Sequence, residues 1–101
     1  MPFRTIHAIA PADARVELAE RLVKLAPVDE PQVFFSISGS EAVEIALKTA
    51  VAATGRAGIV AFEPSYHGLT MGSLAVTSRL GFREPFAVHL HGHVRRLPYG
   101  C

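Results

Sequence analysis

Leu18, Leu22 and Leu25 recur at helical spacing, with Glu17, Glu20, Arg21 and Lys24 between them. This alternation predicts an amphipathic surface helix from about Asp13 to Leu25, with Asp13 as its N-cap and Pro27 just past its end. Glu17–Arg21 and Glu20–Lys24 have the i,i+4 spacing of ion pairs on its wet side. Val33-Phe34-Phe35 then forms a short apolar run between Pro31 and a group of small residues, which predicts a strand. From about Ser40 to Thr54 the polar positions almost disappear: the charges are Glu41, Glu44 and Lys48, and the rest is Ala, Val, Ile, Leu and Thr. A helix apolar nearly all round is expected to be largely buried. Ser38 and Glu41 have the spacing of a capping box, and Gly55 is suited to a left-handed C-cap.

Ile59-Val60-Ala61-Phe62 predicts a second buried strand, followed by the loop Glu63 to Gly68 and a short helix from Thr70 to Ser78. Val88-His89-Leu90 has the character of a strand, and the tail from Arg95 to Gly100 has no clear period. Two apolar strands joined by a buried helix predict a βαβ unit of a parallel sheet, hence an α/β fold. No internal repeat or low-complexity tract is present; prolines and glycines divide the chain into short segments.

Composition sharpens this picture. Half of the 101 residues are apolar, the charged fraction is 19% and the formal net charge is +1. One domain at most is expected at this length. So apolar a chain fits a piece of a larger fold better than a free-standing small domain, whose core is limited. Near-neutral charge argues against a nucleic-acid partner, which needs a basic stripe. The single cysteine, Cys101, excludes an internal disulfide framework and a cysteine-rich zinc site. No apolar run approaches a membrane span and nothing at the N-terminus looks like a signal peptide, so a cytoplasmic setting is expected.

Ser38-Gly39-Ser40, where a strand passes into a helix, is the most informative stretch. Free N–H groups and the positive end of the helix dipole attract an anion there, and Gly39 lets it approach the backbone. A plain N-cap would use the same residues, and caps are far commoner than anion sites. Neither the P-loop nor the dinucleotide fingerprint is present. Tyr66-His67-Gly68 leaves the next strand at the same sheet edge, where open α/β sheets bind ligands. A flat cofactor with a phosphate handle would there set its phosphate on the helix terminus and its ring against Tyr66. His89, His91 and His93 alternate and would share a face of an extended strand, although an irregular polar segment explains them as well and no metal site is assigned. Ser40 lacks the elbow motif of a nucleophilic serine.

The run from Val33 through Ser38-Gly39-Ser40-Glu41-Ala42 to Glu44, then Thr54-Gly55-Arg56, Ile59 to Phe62 and Tyr66-His67-Gly68, resembles the class III (omega) aminotransferases, pyridoxal-phosphate enzymes of fold type I. The resemblance covers the chain from about Arg15, and Gly92-His93-Val94 with Leu97-Pro98-Tyr99 looks similar to the 4-aminobutyrate aminotransferase branch. It implies that Gly39 and Ser40 hold the phosphate of pyridoxal 5'-phosphate and that Tyr66 stacks on its ring. Ile37 stands where the family usually has Asn or Thr, Pro64 where it has Gly or a small residue, and Leu69 where it has Arg.

The chemistry also needs a lysine that carries the cofactor and an acid for the pyridine nitrogen. The lysines of this chain are Lys24 and Lys48 and its aspartates Asp13 and Asp29, none in a matching motif. The resemblance thus implies a fragment of the cofactor-binding large domain over 1–101, with the strand–helix–strand unit at about 33–68. No catalytic residue is assigned, and the chain alone is expected to be inactive. The complete enzyme would move an amino group from an amine or amino acid to a 2-oxo acid, as a homodimer. An aminomutase or racemase-like relative of the same fold, and a small non-catalytic anion-binding module, are the rival readings.

Overall fold

The computed structural model describes residues 10–100, which divide into two compact units between Phe35 and Ser36. The first contains helix α1, Ala10–Leu25. It begins three residues before the expected start, so Asp13 lies in the first turn rather than at the cap. Pro11 explains the difference: it lacks an N–H and has a fixed helical φ, so the first turn accepts it. The Asp13 charge still favours the positive end of the dipole. Arg21 and Glu17 close the expected ion pair at 2.9 Å, both side chains exposed. Leu18, Leu22 and Leu25 are exposed along the apolar face.

Val33–Phe35 is not a strand. An apolar run becomes a strand only where a ladder receives it, and the partner of the next strand comes from elsewhere. Phe34 is 77% exposed.

The second unit holds α2 (Gly39–Thr54), β1 (Ile59–Glu63), α3 (Met71–Val76), α4 (Leu80–Arg83), a 3-10 turn (Glu84–His89) and β2 (Val94–Pro98). Gly55 ends α2 as expected, with φ 69° and its N–H donated to the Val51 carbonyl at 2.8 Å. β1 and β2 pair in parallel, Ile59 opposite Val94 through Glu63 opposite Pro98. The chain therefore carries a parallel βαβ unit, but one element later than expected: its strands are 59–63 and 94–98, joined through α3 and α4. The run Val88-His89-Leu90 belongs to the 3-10 turn and its exit, where Pro85 favours a helical start.

The tail that lacked a period is β2. Its alternation is hidden because Arg96 occupies an inward position. Its guanidinium Nη2 donates to the Ala75 carbonyl at 2.5 Å, and its Nε lies 3.9 Å from a Glu63 carboxylate oxygen. Burial and the neighbouring Arg83 lower the Arg96 pKa, while Glu63 opposes them. The long stem serves as apolar cover while the charged head finds oxygen.

The core is small. Ala61 of β1 packs with Leu74, Ala75 and Val76 of α3, and Ser73 and Thr77 are fully buried beside them. α2, expected to be largely buried, has no buried residue among those described. Only one side of it is covered. An apolar cavity of about 350 Å³ lined by Leu47, Val51, Ile59, Ala75 and Val76 lies between α2, β1 and α3.

Candidate functional site

The start of α2 separates two tasks that the sequence left combined. Ser38 is extended (φ −158°, ψ 162°), and its hydroxyl accepts the Glu41 N–H at 3.1 Å. The Glu41 carboxylate reaches back to the Ile37 N–H at 3.0 Å, one residue beyond the usual capping-box partner. The Ala42 N–H enters the helix by bonding the Ser38 carbonyl. The cap thus takes the Glu41 donor and leaves the N–H groups of Gly39 and Ser40 without a partner among the described residues. Helix geometry directs these donors outward along the axis. A Cβ added at Gly39 would meet nothing within 4 Å, so the space beside them is open.

Facing this terminus is the segment that leaves β1. The Ser65 N–H bonds the Ser78 hydroxyl at 2.8 Å, and the Ser78 hydroxyl and N–H both return to the Ser65 carbonyl at 3.0 Å. The His67 N–H bonds the buried Thr77 hydroxyl at 3.0 Å, and that hydroxyl lies 3.0 Å from the Gly68 carbonyl. Gly68 has φ 128°, a region closed to most L residues, and packs directly on Ser40. The Tyr66 ring meets Phe82 edge-on, with centroids 6.2 Å apart.

Gly39, Ser40 and Tyr66, the three residues assigned to the cofactor, therefore line one cavity of about 370 Å³, together with Ser38, Val43, His67 and Gly68. No carboxylate among the described residues lines it. An anion there gains from the dipole and from two free donors, and meets no opposing charge on the wall.

Sequence reasoning missed the groups that hold this arrangement: Glu44, Gly72, Ser73 and Thr77. A signal existed in the hydroxyls of Thr70, Ser73 and Thr77, spaced three and four apart along one helical face. The histidines do not form the shared face of a strand. His89 ends the 3-10 turn, while the rings of His91 and His93 lie 5.3 Å apart and a His91 nitrogen contacts the Ala57 carbonyl at 2.8 Å. Among the described residues no three metal-ligating groups gather. No described helix is long and apolar enough to cross a membrane.

Comparison with known proteins gives a consistent result. The family model described as aminotransferase class-III matches residues 3–101. The chain is 53% identical over 72 residues to an acetylornithine aminotransferase of Archaeoglobus fulgidus, covering 71% of this chain and 19% of that protein. It is 47% identical over 81 residues to aminotransferase PigE of a Serratia species, covering 80% of this chain and 10% of that protein. Among solved structures, the omega transaminase of Pseudomonas jessenii in complex with PMP matches with a TM-score of 0.66 and 31% identity, over 82% of this chain and 19% of that one. The chain thus spans between a tenth and a fifth of the length of these relatives.

Proposed function

The chain belongs to the class-III aminotransferase family, with the type I fold of its pyridoxal-phosphate enzymes, and we propose that its cavity at Ser38–Ser40 is the cofactor's phosphate cup. The observation that carries this is the pair of N–H groups at Gly39 and Ser40, without a partner among the described residues, opening into the cavity that Tyr66 also lines. The residues present fit pyridoxal 5'-phosphate: two free donors, open space at Gly39, an aromatic ring opposite and a wall without carboxylates.

When bound, that cofactor supplies an aldehyde that takes up an amino group and a ring that accepts electron density. The chain's own residues do the holding. The Gly39 and Ser40 N–H groups and the Ser40 hydroxyl would donate to the phosphate, and the Tyr66 ring would stack on the heterocycle. The activity of the whole enzyme is then amino transfer from an amine or amino acid to a 2-oxo acid, in a cytoplasmic homodimer. The cofactor-bearing lysine and the acid for the ring nitrogen come from outside these residues.

Tyr66 separates the ring from the phosphate. It is 59% exposed, so Tyr66→Leu removes the stacking surface without opening a core. The expected loss is about three- to tenfold in affinity for pyridoxal 5'-phosphate, the size of an aromatic pair contribution, with affinity for inorganic phosphate unchanged. Calorimetric titration of both ligands measures this. Equal losses for both would remove the ring from the site.

A further inference from the structure

We propose that Glu44 is a positioning residue for the anion cavity: its carboxylate caps α3 and thereby holds Tyr66–Gly68 against the start of α2. The proposal rests on the reading of Ser38–Ser40 as a phosphate site. Ser40 and Glu44 lie one turn apart on the same face of α2. The opposing segment carries glycines at the matching interval. A Cβ at Gly68 would overlap the Ser40 hydroxyl, and one at Gly72 would overlap the Glu44 carboxylate. Two side chains of α2 thus enter where two side chains are missing opposite.

The hydrogen bonds give this contact a direction. One Glu44 oxygen accepts from the Thr70 hydroxyl at 2.9 Å and from the Ser73 N–H at 3.0 Å. Thr70, at the N-cap position of α3, makes no side-chain cap bond of its own. Glu44 supplies the acceptor that Thr70 would otherwise provide. At the other end of α3, the buried Thr77 hydroxyl holds the His67 N–H and the Gly68 carbonyl. The path runs from Glu44 through α3 and Thr77 to Gly68, and so back to Ser40.

Charge and position make opposite predictions here. A carboxylate one turn from an anion site repels the anion, so acting through charge alone its removal would strengthen binding. A positioning role requires the acceptor and not the charge. The test is titration of the 101-residue chain with inorganic phosphate, together with amide hydrogen exchange at His67 and Ser73. Glu44→Ala is expected to lower phosphate affinity about tenfold or more and to speed exchange at both amides, as expected when a buried donor loses a charged acceptor. Glu44→Gln, which keeps an acceptor, is expected to stay within about threefold of the parent. Should Glu44→Ala not fold, Thr70→Val removes one donor to the same oxygen, with an expected loss of about threefold. Unchanged or tighter phosphate binding in Glu44→Ala, or in Thr70→Val where Glu44→Ala does not fold, overturns the proposal. So does unchanged His67 exchange in Glu44→Ala without phosphate. A parent chain that binds no phosphate would instead sink the phosphate-site reading, while the His67 exchange still decides whether Glu44 positions the loop.

Discussion

Gly68→Ala is expected to destroy the anion cavity. At φ 128° an L residue carries backbone strain of about 1–3 kcal/mol. The new Cβ also lies 2.8 Å from the Ser40 Cβ and 2.7 Å from the Ser73 hydroxyl. The first belongs to a helix and the second is tied to Thr70 at 2.6 Å, so neither retreats without breaking something else. The segment must lift from α2, carrying Tyr66 with it. Phosphate affinity is expected to fall about tenfold or more, a loss of at least ~1.4 kcal/mol. Gly58→Ala is the control, because a Cβ there meets nothing within 4 Å. Calorimetric titration of both variants checks the contrast, and a Gly68→Ala chain that binds like the parent would refute the close-approach argument.

The same contact marks what the sequence makes readable. α2 and both of its caps follow from residues within four positions of one another, Ser38 with Glu41 and Val51 with Gly55. Gly39, Ser40 and Tyr66 stand out because each sits where a regular element begins or has just ended. The bond between Glu44 and Ser73 joins residues 29 apart, and nothing local announces it. Strand identity failed for a related reason. Val33–Phe35 has the composition of a strand, but β1 pairs with Val94–Pro98, whose inward arginine hides the period. Composition reports a taste for burial, whereas pairing depends on residues far along the chain. The exposure of α2 is the same lesson from the opposite side: its apolar surface states a demand for cover that the described residues meet only in part.

With pyridoxal 5'-phosphate, an amino donor and a 2-oxo acid, the 101-residue chain is expected to give no transaminase turnover above the protein-free reaction. The chemistry needs a lysine at the cofactor. Lys24 lies on α1, and Lys48 lines the apolar cavity with Leu47 and Val51, not the cavity of Ser40 and Tyr66. Enzymes of ordinary competence turn over at about 1–1,000 s⁻¹, so the difference is one of presence against absence. Chromatographic assay of the amino product, with borohydride reduction and peptide mass analysis, reads both rate and attachment. A stoichiometric adduct at Lys24 or Lys48 accompanied by turnover would contradict the assignment.

If the Gly39 and Ser40 N–H groups at the start of α2 hold the cofactor's phosphate, a bound phosphate must slow their exchange. Amide hydrogen exchange across residues 37–42, measured with pyridoxal 5'-phosphate and separately with pyridoxal, tests it most directly. Pyridoxal carries no phosphate, so saturable protection of Gly39 and Ser40 is expected from the first ligand and none from the second. Equal protection by both, or none by either while α2 beyond residue 42 stays protected, would contradict it.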